Sequence, residues 1–278
     1  MQPKKLNGVV ANGVYSARDG DGKKADPVTA IFPILKQGSD GQFTLLGTGF
    51  FISDNGIFVT AKHVLLDVLD RATGEQTHAL LLIQIRGDGS YIPRPILRCT
   101  SHDSADITVG IAAPLNHNVT GEELKNKILN LKNSVPAVGR RVSTYAYPAS
   151  KVFNIGELSE KTEFWFYSDF FDGVVEELHL EGRDRTMLPG PCMRTSMYVH
   201  GGASGGPVFD SSGKVIGVNS TGFTDDNLSY ITPIYTIENL VLTDVNTSTN
   251  KTGSVRVREL IQAGFISYLR IPGAQVIS

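Results

Sequence analysis

The sequence predicts an all-β protein, on three observations. Short apolar runs recur along the 278-residue chain, and glycine (29) and proline (13) punctuate them as many strands joined by tight turns require. Six of these runs fall between residues 28 and 112, enough strands for one barrel. The length suits either one large domain of two barrels or two smaller domains. Hydrophobic residues at 41% and charged residues at 19% suit a globular core and argue against wholesale disorder. A net charge of −2 offers no basic field for nucleic acid or an anionic membrane. No apolar run approaches the ~20 residues of a membrane-spanning helix.

In chain order, residues 1–27 are polar and glycine-rich and read as a mobile tail. Within them Asp19-Gly20-Asp21-Gly22 has the opening of a calcium loop, but the twelfth position is Ala30 rather than glutamate, so no ion is expected. Strands are expected at 28–36, 43–53, 56–60, 79–86, 95–100 and 106–112, forming a first unit over 28–117. Residues 118–135 read as a linker with some helix around Gly121-Glu122-Glu123-Leu124 and Leu129. A second unit, 136–278, opens with Val138–Pro148 and continues with strands near 153–158, 162–168, 174–180, 193–198, 207–210, 214–220 and 228–234. At its end Ser254 is placed to cap a helix whose Val257, Leu260, Ile261 and Phe265 share one face.

The chemistry concentrates in Gly202-Ala203-Ser204-Gly205-Gly206-Pro207. Glycine accepts backbone angles that other residues avoid, so such a turn exposes a serine while aiming backbone N–H groups at one point. A nucleophile attacking a carbonyl needs that geometry, and it needs a base. His63 ends the apolar run Gly56–Ala61 at a strand-to-turn junction. Asp106 opens a run in which Ile107, Val109 and Ile111 share one face, so its carboxyl is placed to be buried toward a histidine. Asp103, in the preceding loop, is the rival carboxylate. His78, His102, His117 and His179 read as surface or satisfied core residues, since nothing pairs them at metal-ligand spacing. A phosphate-cradling role for the glycines lacks the Gly-Lys-Ser/Thr that would follow.

Taken together, Thr60-Ala61-Lys62-His63, Ser104-Ala105-Asp106-Ile107, Gly202–Pro207, Gly47–Ile52 and Gly217–Gly222 resemble the trypsin-like serine peptidases. The resemblance runs from about Val28 to about Ile266, and within that family it points to the bacterial type of domain. It implies a chymotrypsin-like fold of two six-stranded antiparallel β-barrels with a C-terminal α-helix. It also implies a serine endopeptidase that cleaves protein or peptide substrates through an acyl-enzyme, with no metal or organic cofactor. Ser204 would be the nucleophile, His63 the general base and Asp106 the group that orients the imidazole. The backbone N–H groups of Gly202 and Ser204 would form the oxyanion hole. Ser220 matches a serine that hydrogen-bonds the aspartate, and Tyr198, Val199, His200, Asn219, Ser220, Thr221 and Gly222 fall where substrate binds.

Departures from the family pattern refine these expectations. Ala203 replaces the aspartate that pairs with a freed N-terminus in zymogen-derived relatives, so activity is expected without such cleavage. Tyr198 stands at the pocket base where an aspartate would select lysine or arginine. Asn219 stands where glutamate-specific relatives carry histidine, so a neutral P1 residue is expected. The stretch after Pro233 is too short for a PDZ domain. Two cysteines, Cys99 and Cys192, read as separate thiols, and with no apolar leader at the start they point to a cytoplasmic location. The competing reading is a catalytically silent pseudoenzyme that uses the same barrels as a protein-binding module.

Overall fold

The computed structural model describes residues 17–18, 23–66, 68, 77–86, 90–116, 120–148, 150–155, 161–223, 228–248 and 251–270. Inside the expected tail, β1 (Ala17–Arg18) pairs antiparallel with β2 (Lys24–Ala25). Asp26 then caps a single 3₁₀ turn, Pro27–Thr29, by accepting the Val28 N–H. That turn delays the first barrel strand past its expected start. Residues 1–16 and 19–22, including the Asp19–Gly22 segment, lie outside the described residues, as does His117.

The first barrel is built from β3 (Ile31–Gln37), β4 (Phe43–Phe51), β5 (Ile57–Thr60), β6 (Ala79–Ile85), β7 (Tyr91–Ser101) and β8 (Thr108–Ala112). It closes in the order β3-β4-β5-β8-β7-β6, and every pairing is antiparallel. Strand β7 begins four residues before its expected start at 95 because Pro93 and Pro95 are incorporated in it. Buried aromatic rings fill the interior. Phe32 meets Phe51 at 4.6 Å and Phe58 edge-on at 5.6 Å. Each such buried ring contributes about 1.5–3 kcal/mol of transfer free energy.

A second ring contains β10 (Arg141–Ala146), β13 (Asp169–His179), β14 (Cys192–Thr195), β15 (Pro207–Phe209), β16 (Val215–Phe223) and β17 (Leu228–Pro233). Its order is β10-β13-β14-β17-β16-β15, and β15 pairs back onto β10, again with antiparallel partners throughout. The predicted pair of six-stranded barrels is therefore present. A hairpin of β11 (Lys151–Ile155) and β12 (Lys161–Trp165) stands outside the ring. Val142, Val175, Met193, Val208, Ile216 and Ile231 are buried together inside it.

The segment between the barrels is extended rather than helical. Leu129 N–H donates to Phe51 O of the first barrel, and Asn130 O accepts from Val215 N–H of the second. Asn126 is held by Arg94 at 2.5 Å and itself donates to Asp54 O at 2.7 Å, which pulls the backbone away from a helical path. The short strand β9 (Leu131–Asn133) then joins β16 in parallel. A further hairpin, β18 (Val241–Ser248) and β19 (Lys251–Arg256), precedes helix α1 (Val257–Gln262). Ser254 lies within β19, so it does not cap the helix. Glu259 does the equivalent work by accepting the Arg256 N–H at 2.9 Å. Gly264, at φ +80°, follows the helix end and leaves Phe265 exposed.

The last strand, β20 (Tyr268–Arg270), lies parallel to β9. Its tie is the buried Glu238 carboxylate, which accepts the Tyr268 hydroxyl at 2.6 Å, Arg270 at 3.2 Å and Asn133 Nδ2 at 3.4 Å. Burial and this carboxylate push the Tyr268 hydroxyl well above its ordinary pKa. Removing one charged, buried acceptor strands its donors, at a typical cost of about 1.5–3 kcal/mol. Glu238→Ala is therefore expected to lower unfolding stability by that amount in urea, with the same m-value as the wild type.

Candidate active site

Strand β5 ends at Thr60, and the chain turns at once into a short 3₁₀ segment, His63–Leu65. Val64 and Leu65 are buried beneath that turn, and the His63 side chain keeps 35% of its surface exposed. Asp106 lies in the bend just before β8, anchored by the fully buried Ile107 and Val109. Its Oδ2 lies 2.8 Å from His63 Nδ1, and its Oδ1 accepts the His63 backbone N–H at 2.9 Å. The Ser220 hydroxyl donates to the same Oδ2. Asp103, the rival carboxylate, is exposed, and its backbone carbonyl accepts Lys62 Nζ at 2.9 Å.

Desolvation alone would raise the Asp106 pKa. The His63 ring bond, the His63 charge, the Ser220 hydroxyl and the His63 backbone N–H together outweigh it, and the carboxyl sits below its ordinary value. An ionised Asp106 accepts only, so Nδ1 of His63 carries the proton and Nε2 of the neutral ring keeps its lone pair. That is the tautomer a general base requires.

Ser204 lies on the turn before β15. The turn has φ +91° at Gly202 and +86° at Gly205. A Cβ at Gly205 would come within 2.1 Å of Thr48 O and 2.2 Å of Thr60 Oγ1, so only glycine fits between turn and first barrel. Ala203 N–H donates to His200 O, closing a four-residue turn with Gly202 at its third position, where a type II turn demands positive φ. Ala203 itself is buried. The Ser204 hydroxyl donates to the Ser220 carbonyl at 3.4 Å. Among the described hydrogen bonds none joins it to the His63 ring. Ser220 thus touches both Asp106 and Ser204.

Thr48 was not singled out from sequence, yet it fastens this turn. Its hydroxyl donates to Gly202 O at 2.8 Å and accepts Tyr147 N–H at 3.2 Å, while its backbone N–H donates to Ser204 O at 2.8 Å. The signal available was the Gly47-Thr48-Gly49 triplet, whose small neighbours permit close approach. Gly47 lies so near the turn that a Cβ there would meet Ser204 O at 2.7 Å.

The expected substrate-facing residues divide into two groups. Tyr198 and His200 are exposed, and their rings meet edge-on at 4.5 Å, so Tyr198 does not form a buried pocket floor. Val199 packs against the apolar interior of the second barrel, Thr221 is half-buried, and Gly222 pairs with Ser229 in the sheet. Asn219 and Ser220 are buried instead. Asn219 Nδ2 donates to Thr144 Oγ1 at 2.7 Å and Ala203 O at 3.4 Å, so it braces the serine turn from behind rather than meeting substrate.

The model of the trypsin-like peptidase domain matches residues 47–218. Two curated relatives, each described as a probable periplasmic serine endoprotease DegP-like and both from strains of Pseudomonas putida, are 25% identical over 220 residues. Those matches cover 76% of this chain and 36% of each relative, so the chain spans about a third of their length. The solved structure of Deg5 shares the fold at 20% identity and a TM-score of 0.52, covering 76% of this chain and 86% of that one. The HtrA-type protease AlgW with tripeptide does so at 17% identity and a TM-score of 0.50, covering 75% and 57%.

The relatives' periplasmic description overturns the cytoplasmic expectation. The cysteine argument behind that expectation also fails physically. Burial pushes the Cys99 thiol up to about 12 and the Cys192 thiol up to about 11, suppressing the thiolate through which cysteines oxidise. Unpaired thiols of this kind persist in an oxidising compartment as well.

Two outcomes follow for the site. Thr48→Val leaves Gly202 O and Tyr147 N–H without their buried partner and is expected to cost about 2 kcal/mol in chemical denaturation, with Thr48→Ser recovering most of it. Because Asp106 titrates below 3.8 when folded, its contribution to stability is complete above that pH and disappears as pH falls through the folded-state value. The melting midpoint of the wild type should therefore decline more steeply with acid than that of Asp106→Asn, and parallel declines would contradict the assignment.

Proposed function

The chain belongs to the trypsin-like peptidase domain family, and from that premise we propose that it is a serine endopeptidase acting through His63, Asp106 and Ser204. The observation that carries this reading is the two-point grip of Asp106 on His63, through Nδ1 at 2.8 Å and the backbone N–H at 2.9 Å. It fixes the ring in one plane and one tautomer. In this reading His63 Nε2 takes the proton from Ser204 Oγ as the oxygen attacks the scissile carbonyl. The same nitrogen then returns the proton to the departing amine, leaving an ester on Ser204. A water molecule activated by His63 hydrolyses that ester.

The backbone N–H groups of Gly202 and Ser204 receive the negative oxygen, and loss of one such donor typically costs ~10²–10³ in turnover. In this reading the Ser204 hydroxyl leaves the Ser220 carbonyl and turns to the imidazole before it attacks. No acid lies at Tyr198, so the reading includes a neutral residue on the acyl side of the cleaved bond. The compartment in this reading is the periplasm, as described for the relatives.

One observation favours the second reading, a silent pseudoenzyme that binds proteins: the Ser204 hydroxyl is directed to Ser220 rather than His63. A fluorophosphonate probe separates the two. The wild type is expected to label, and Ser204→Ala is expected to lose labelling and on the order of 10⁶ of peptide turnover. An unlabelled wild type supports the binding module. Equal labelling of the alanine variant moves the nucleophile elsewhere.

A further inference from the structure

The loop that delivers Asp106 is capped from within by a histidine. His102 Nδ1 accepts the backbone N–H of Ser104 at 3.2 Å and of Ala105 at 3.0 Å. His102 N–H donates to Ile107 O at 3.0 Å, and Ile107 N–H to Ala105 O at 2.9 Å, so the ring nitrogen sits inside a loop closed at both ends. From one side Lys62 Nζ donates to the carbonyls of His102 at 2.8 Å and Asp103 at 2.9 Å. From the other the second barrel closes in at Gly190, where a Cβ would come 2.6 Å from Ala105 Cα. Lys62 directly precedes His63, so the same clamp fixes loop and imidazole relative to each other.

A side-chain oxygen of aspartate or asparagine ordinarily accepts N–H groups two and three residues ahead. An imidazole can replace it only through an unprotonated Nδ1, which requires the neutral ring with its proton on Nε2. Protonation turns that acceptor into a donor pointed at two other donors.

We infer that His102 is a positioning residue for the proposed carboxylate: its neutral ring holds the Asp103–Asp106 loop on His63, and protonation of the ring releases it. This rests on the reading of Asp106 and His63 given above. The charged groups that bear on the ring are Asp103, which favours its proton, and Lys62, which opposes it. The uncharged backbone N–H groups of Ser104 and Ala105 face its Nδ1. Burial is the largest influence, and with Lys62 it holds His102 below its ordinary 6.5. The cap is therefore complete above that pH and is lost as pH falls through the folded-state value.

The test follows fluorophosphonate labelling of Ser204 from about pH 8 down to about pH 5, in the range where imidazoles titrate. The wild type is expected to lose rate more steeply with acid than a variant whose cap does not titrate. His102→Asn keeps an acceptor at every pH and is expected to retain the neutral-pH rate with a shallower decline. His102→Ala is expected to lose about fivefold to tenfold at pH 8, the size of an ordinary lost hydrogen bond. Amide hydrogen exchange at Ser104 and Ala105 reads the same loop without any activity. Protection there should fall about tenfold on acidification in the wild type and stay constant in His102→Asn. Unchanged wild-type protection, or an alanine variant matching the wild type in rate and slope, would overturn the inference. Should Ser204→Ala label like the wild type, the nucleophile assignment fails while the exchange measurement still judges His102.

Discussion

The Thr48 hydroxyl joins the two barrels by donating to Gly202 O and accepting from Tyr147 N–H, and the shape of the serine turn depends on that double use. Thr48 itself is fully buried, with its carbonyl accepting the Thr60 hydroxyl at 2.7 Å. Tyr147 adds a second tie, its buried hydroxyl donating to Ile31 O at 3.0 Å. An unpaired buried polar group costs about 1–3 kcal/mol, so neither barrel can slide along the seam without exposing several such penalties together. The seam is thus fixed by polar registration as much as by apolar contact. The narrow clearance at Gly205 converts that registration into one allowed path for the turn.

Electrostatics at the seam follow from burial combined with donors. The Asp106 side chain retains 15% exposure, too little to solvate a carboxylate well, and three donated hydrogen bonds replace the lost water. Two of the donors come from His63 of the first barrel and one from Ser220 of the second. The charge of Asp106 is therefore satisfied in full only when the barrels are docked. Ser220 links this demand to Ser204, since its hydroxyl donates to the carboxylate while its carbonyl accepts the hydrogen bond from the Ser204 hydroxyl.

Strands written as short apolar runs between turn residues were legible in the sequence, as β3–β6 and β15–β17 show, because strands buried on both faces read as continuous apolar stretches. The misread boundaries have local causes. Pro93 and Pro95 disguised the start of β7, and Ser254 imitated a helix cap although the strand β19 extends to Arg256. His63, Asp106 and Ser204 were picked out by their local motifs, and the fold sets Asp106 on His63 and Ser204 on Ser220. Ser220 was legible through the resemblance, but Thr48 was not, because nothing local distinguishes a threonine bonded across 154 residues from any other strand threonine. Asn219 was read as facing substrate, yet its amide donates to Thr144 of β10 and to Ala203 O of the turn. His102 looked like a loop histidine of no consequence, since its role consists of bonds to backbone N–H groups that carry no sequence signature.

The distribution of the site over two barrels also has a kinetic consequence. Each barrel pairs strands far apart in the chain, and such non-local closure is slow because the loop entropy must be met before contacts reward it. His63 and Asp106 come from the barrel made first during synthesis, whereas the Gly202 and Ser204 carbonyls belong to the second barrel and find their Thr48 donors only when it docks on the first. A nascent chain with one finished barrel thus carries an imidazole and a carboxylate but no organised hydroxyl. The three side chains can therefore meet only after the second barrel has closed and docked on the first.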